Sequence, residues 1–219
     1  MEGRDPVIVV LISGSGSNLQ ALIDAVEKEE IIGSIKAVIS NKANVLGIDR
    51  AKKAGIDTHI IDHKKYDSRD VFDGELIRQI EQYQPDLIVL AGFMRILTPA
   101  FTEHYLGRML NIHPSLLPKY QGLHTHQRAI DAGDDCHGVT VHFVTAELDG
   151  GPGAIQATVS IHPYDDADSL AKRVQAQEHI IYPMAVDWFA RGELRMVEGK
   201  STLKGELLPP GGHLIDCRD

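Results

Sequence analysis

Four short runs, Val7 to Ile12, Ile35 to Ser40, Thr58 to Asp62 and Leu87 to Ala91, are almost continuously apolar or β-branched and alternate with stretches of helical period. A strand covered on both faces loses the alternation of apolar and polar residues, so this pattern demands a buried, parallel sheet. Between the runs, Leu19, Leu22, Ile23 and Val26 fall at i, i+3, i+4 and i+7, and Phe72, Leu76, Ile80 and Tyr83 form a second stripe. Such stripes are the buried faces of helices. The expected fold is therefore α/β: a Rossmann-like, doubly wound, mostly parallel sheet with helices on both faces in a single domain.

The pattern changes after residue 110. Asn111 to His126 holds Pro114, Pro118 and Gly122 without periodicity and reads as a long loop, a kind that is often functional. Val139 to Thr145 and Gln156 to Ile161 read as strands flanking a turn from Gly150 to Gly153. Leu170, Val174, Ile181, Ala185 and Trp188 mark a final helix, expected to bend at Pro183. Glu193 to Leu208 reads as a small hairpin, which divides the chain into residues 1–192 and a C-terminal β extension and tail, 193–219, of the same domain.

A chain of 219 residues, 43% apolar and 24% charged, is expected to form a globular domain rather than a disordered or collagen-like chain. Lysine and arginine total 22 against 31 acidic residues, and the net −9 repels nucleic acid and anionic lipid, so neither is an expected partner. A small anionic substrate then needs local groups that overcome the overall field. The two cysteines, Cys136 and Cys217, support neither a disulfide framework nor a thiol zinc site. A reducing, cytoplasmic setting is expected. No targeting segment is expected, and Val7 to Ile12 is far shorter than the roughly 20 residues a membrane-spanning helix needs.

Directly after the first strand stand Ser13, Gly14, Ser15, Gly16, Ser17 and Asn18, followed by the first helical stripe. A Gly-rich turn entering a helix offers free N–H groups and a dipole end to a phosphate. Leu19 replaces the third glycine of a dinucleotide fingerprint and no acidic residue ends the second strand, which favours a terminal monophosphate. A plain turn capped by Ser17 or Asn18 is the alternative.

Six histidines, His104, His113, His124, His126, His137 and His142, lie close together, but their spacing matches no zinc pattern and no metal is expected. His113 follows Asn111 at a strand end, where ligands of parallel sheets bind. There a histidine can shuttle a proton and an asparagine amide can stabilise an oxyanion. Asp149, beside Gly150, would favour the imidazolium form of His113 if the fold brings them together. Structural roles for His113 and a simple turn role for Asp149 stay open on these residues alone. Met94, Arg95, Ile96 and Leu97 line either a flat pocket or the core, and Glu178 either meets sugar hydroxyls or is solvated surface.

Asn111 to Pro118 together with Asp149 to Pro152 resembles the folate-dependent formyltransferases, and Lys119 to His126, Ala91 to Leu97 and Ile12 to Asn18 extend the resemblance from about Val7 to the final helix. The similarity is strongest to the branch that formylates glycinamide ribonucleotide in purine synthesis, with 10-formyltetrahydrofolate as co-substrate and no metal. It implies catalytic roles for Asn111, His113 and Asp149. It implies ribonucleotide contacts at Gly16, Ser17, Asn18, Gln175 and Glu178. It also implies folate contacts at Arg69, Met94, Arg95, Ile96, Leu97, Ala146, Glu147, Leu148 and Asp149. Partners are then two small molecules, with the chain a monomer or homodimer. Gln121 stands where related sequences often carry proline. Rival readings are a formyltetrahydrofolate hydrolase, a transferase acting on initiator methionyl-tRNA and, from another class, an NADP-dependent reductase.

Overall fold

In the computed structural model, which describes residues 4–218, β1 (Val7–Ile12) is an interior strand of the sheet. It is followed by α1 (Ser17–Glu27), β2 (Ser34–Ser40), α2 (Leu46–Lys53) and β3 (Asp57–Ile60). Then come α3 (Arg69–Glu81), β4 (Leu87–Leu90), α4 (Pro99–His104) and β5 (Met109–His113). The second half adds α5 (Thr125–Asp131), β6 (Cys136–Phe143), β7 (Gly153–Ser160) and the long α6 (Ala167–Ala190). Last come β8 (Leu194–Val197), β9 (Lys200–Leu203), β10 (Glu206–Leu207) and β11 (His213–Asp216).

Eight strands form one sheet in the order β11-β7-β6-β5-β4-β1-β2-β3, parallel except where β6 pairs antiparallel with β5 and β7. Side chains alternate across it. From β1, Ile8, Val10 and Ile12 enter one apolar cluster with Leu19 and Leu22 of α1 and Leu170, Val174 and Ile181 of α6. Val9 and Leu11 enter the opposite cluster with Phe72, Leu76 and Ile80 of α3 and Phe101 of α4. This is the doubly wound arrangement that near-continuous apolar strands require, since each strand must satisfy two cores. Each fully buried aliphatic side chain contributes on the order of 1.5–3 kcal/mol, so the middle of the sheet is the stable platform for its edge.

Three local differences from the sequence reading have physical causes. The 111–126 loop is shorter than expected, because β5 extends to His113 and α5 begins at Thr125. Both elements are too brief to show a period. The expected hairpin is a three-stranded antiparallel sheet, β10-β9-β8, since Gly199 (φ 73°) and Gly205 (φ 85°) allow two tight turns instead of one. Beyond it, β11 returns to the main sheet, parallel to β7. Pro183 lies inside α6, whose start is closed by reciprocal bonds between Asp166 and Ser169. Among the described residues, no helix is long and apolar enough to cross a membrane.

Candidate active site

The strands β5, β4 and β1 lie side by side and parallel, so the segments that follow them emerge at one edge of the sheet. Between β4 and β1 the strand order reverses, which opens the crevice where α/β sheets bind ligands.

After β1, Gly16 adopts φ 72° and caps α1 with no side-chain bond, so neither Ser17 nor Asn18 acts as the cap. The first N–H groups of α1 thus lack a side-chain partner and suit an anion. Glycine is required here. A Cβ on Gly16 would lie 2.7 Å from the Cα of Gly47 in α2, whose N–H donates to the Gly14 carbonyl at 3.1 Å. Helix α6 brings its own residues to this turn: Gln175 Nε2 donates to Ser17 Oγ at 3.2 Å and Asn18 Nδ2 donates to Glu178 Oε2 at 2.8 Å. Burial raises the Glu178 carboxyl above the usual range, opposed by the Asn18 bond and by the charges of His179 and His113. Asn18 Oδ1 is buried without a partner, an acceptor held for a ligand donor. The ribonucleotide set expected at Gly16, Ser17, Asn18, Gln175 and Glu178 is therefore one cluster.

After β5, strand register assembles the reacting groups. Asn111 pairs with His142 across the antiparallel β5–β6 ladder, and its Nδ2 lies 3.2 Å from His142 Nε2. His142 Nδ1 lies 2.9 Å from the Phe143 carbonyl and donates to it, which leaves Nε2 to accept from the asparagine. Burial pushes the His142 pKa down to about 4, so it is neutral and acts as an acceptor. One amide hydrogen of Asn111 is thereby held and the other is left for a ligand.

The loop after β6 doubles back and carries Asp149, at φ 50°, to the end of β5. There Asp149 Oδ2 lies 3.5 Å from His113 Nδ1 and accepts the Gly122 N–H at 3.0 Å. His142 Nε2 is 3.9 Å from the other carboxylate oxygen, so with His142 neutral the aspartate charge falls on His113. On its far side His113 Nε2 meets the Tyr120 carbonyl at 2.9 Å. Both ring nitrogens thus face oxygens, the carboxylate of Asp149 on one side and the Tyr120 carbonyl on the other.

His142 belongs to this site and was hidden among six histidines in the sequence. Only the strand register singles it out. Two large cavities are lined by neither Asn111 nor His113. One of about 660 Å³ runs along Ser17, Gln20, Arg50 and His179. The other, about 700 Å³, reaches Asp149 from the side of Gln121, Thr140 and Lys200. His113 is only 7% exposed because the 114–124 loop covers it.

The expected folate residues are less uniform. Met94 and Ile96 are 63% and 57% exposed beside the crevice, and Leu148 is 53% exposed. Leu97 is half-buried, while Ala146 and Glu147 are exposed on the Asp149 loop. Arg95 lies with its guanidinium 4.6 Å from the Phe72 ring centre and its Nε buried without a partner. Arg69 is exposed at the start of α3, and among the described residues its side chain makes no hydrogen bond or ion pair.

Comparison with known proteins shows what the chain is similar to. The family described as formyl transferase matches residues 7–186. The chain is 57% identical to the phosphoribosylglycinamide formyltransferase of Escherichia coli strain K12, over 95% of this chain and 99% of that one. It is 48% identical to the Haemophilus influenzae protein of the same name, over 94% and 97%. A solved phosphoribosylglycinamide formyltransferase of Coxiella burnetii superposes with a TM-score of 0.93 at 52% identity, covering 97% of this chain and 100% of that one. Sequence and fold thus converge, and the chain belongs to the formyl transferase family.

Proposed function

We propose that this chain transfers the formyl group of 10-formyltetrahydrofolate to the amine of glycinamide ribonucleotide, a step of purine synthesis; the names of its relatives support a formyl transfer to that acceptor. The observation that carries the proposal is the contact of Asp149 with His113, beside an Asn111 amide oriented by a neutral His142. The substrate phosphate rests on the N–H groups after Gly16, with Gln175 and Glu178 beside the sugar. The folate ring lies along Met94 to Leu97 and the 146–149 loop, with Arg69 toward its acidic tail.

The amine nitrogen attacks the formyl carbon, and charge develops on the formyl oxygen. The free Asn111 hydrogen and the His113 imidazolium meet that charge, with the Nε2–H exchanging the Tyr120 carbonyl for the reacting oxygen. Asp149 holds the imidazolium in place. Collapse breaks the bond from carbon to N10, and the proton lost by the amine passes through His113 to N10. The products are the formylated ribonucleotide and tetrahydrofolate. The same reading takes residues 1–192 as the catalytic unit with 193–219 as its extension. It places the chain in the cytoplasm, as a monomer or homodimer with no resident metal.

Asn111→Ala and His113→Ala test it. Each is expected to lower kcat by roughly 100- to 1,000-fold while moving KM for either substrate far less, since oxyanion donors act mainly in the transition state. Near-normal turnover in both would refute the assignment.

A further inference from the structure

Between β4 and α4 the chain forms an arch, Gly92 to Thr98, whose middle residues Met94 and Ile96 are exposed. The segment is neither strand nor helix; Phe93 is buried in the core beneath it and Arg95 lies on Phe72 of α3, while the exposed stretch around Met94 and Ile96 depends on how the ends are held. Both ends are tied to buried side chains from other elements. At the first, Ser13, only 4% exposed, donates its backbone N–H to the Gly92 carbonyl at 3.1 Å and accepts the Met94 N–H on Oγ at 2.8 Å. The Ser13 hydroxyl proton goes to Asn41 Oδ1 at 2.5 Å, which fixes the rotor with its lone pair toward Met94. At the other end, the Asp73 carboxylate, 3% exposed on α3, accepts the Thr98 N–H at 2.7 Å. Thr98 in turn caps α4 through the Phe101 N–H.

From this double anchorage we infer that Ser13 and Asp73 are positioning residues for the one-carbon donor: they hold the arch in the shape that receives the folate ring. The inference rests on the reading of Met94 to Leu97 as the folate segment. Neither side chain lies among the exposed groups of the arch, so each acts through the Met94 and Thr98 backbones. A buried carboxylate with a neutral N–H partner is a costly choice for mere packing, because an apolar residue would fill the volume without the desolvation penalty. Among the described residues the Ser13 hydroxyl bonds only to Met94 and Asn41 and makes no bond to residues 14–18, so its loss should act on the arch and not on the Gly-rich turn.

The test is equilibrium binding of 10-formyl-5,8-dideazafolate and, separately, of glycinamide ribonucleotide to the full chain and to Ser13→Ala, Asp73→Ala, Asp73→Asn and Ile96→Asp, with thermal unfolding of each. Loss of one anchoring bond predicts a rise in folate Kd of roughly five- to tenfold for Ser13→Ala and Asp73→Ala, with ribonucleotide Kd within about twofold. Asp73→Asn keeps an acceptor oxygen and should restore folate binding to near the parent value. Ile96→Asp, in the arch itself, should abolish it. Folate affinity unchanged in both alanine variants while Ile96→Asp loses it would overturn the positioning role and leave the folate site standing. Equal weakening of both ligands would reduce the anchors to general stability and also overturn the role. Retained binding in Ile96→Asp would remove the folate site from the arch and the inference with it. If one alanine variant does not fold, the other decides by the same criteria.

Discussion

The anion turn and the reacting trio lie at the same sheet edge and are built by opposite means. Residues 13–18 are contiguous, and their geometry comes from backbone: a left-handed Gly16, an uncapped helix start and close contact between Gly16 and Gly47. Asn111, His113 and Asp149, with His142 orienting the asparagine, are spread over 39 positions and meet through side chains, set by the β5–β6 register and by a loop that folds back. A turn made of backbone tolerates changes of side chain but not an added Cβ. A trio made of side chains tolerates the reverse. Binding and chemistry can therefore be damaged separately in this molecule.

The largest expected effect is on the trio. Asp149→Asn keeps the shape but removes the charge facing His113, and turnover should fall on the order of 100-fold or more with ribonucleotide affinity little changed. Steady-state kinetics checks it, and a matching rise in ribonucleotide KM would erase the separation. Gly16→Ala should do the converse. Forcing a Cβ to 2.7 Å from the Gly47 Cα at φ 72° should destabilise by roughly 1–3 kcal/mol and raise ribonucleotide KM more than it lowers kcat. Thermal unfolding and kinetics together read both parts.

The third effect is a pH dependence of stability. His142 has a pKa pushed down from 6.5 to about 4 by burial, so the unfolded chain binds its proton first as pH falls. Its contribution is whole above about pH 6.5 and is lost as pH drops toward 4, by on the order of 3 kcal/mol at most. His142→Gln should flatten the unfolding free energy across that window. Because the replacing amide can rotate and is no fixed acceptor for Asn111, turnover should fall while the anion turn is untouched. An unchanged slope would show that His142 is not the group losing stability. The smallest effect belongs to the C-terminal sheet. The Lys204–Glu193 pair, at 3.6 Å with Lys204 exposed and Glu193 half-buried, should contribute less than about 1 kcal/mol, and Lys204→Ala should leave kcat within twofold. A large loss there would tie the extension to catalysis.

The same contrast explains what the sequence revealed. Sheet class, the glycine turn into α1 and the final helix were legible because their signals are local: apolar runs, a glycine cluster, a period. The proximity of Asp149 to His113 was not, since nothing in a separation of 36 residues decides whether two side chains meet. Family resemblance supplied that pairing before geometry did. His142 escaped both routes, because its role follows from lying opposite Asn111 in a ladder whose register only the folded chain displays. Strand β11 escaped for a similar reason: its place beside β7 is a tertiary choice.

The most direct measurement mixes the purified chain with 10-formyl-5,8-dideazafolate, adds or withholds glycinamide ribonucleotide, and follows deformylation alongside the fate of the released carbon. Deformylation should begin only when the ribonucleotide is present, with one amide formed for each folate released. Free formate appearing at the same rate without ribonucleotide would mean that water is the acceptor, and the paired sites described above would have been assigned to the wrong reaction.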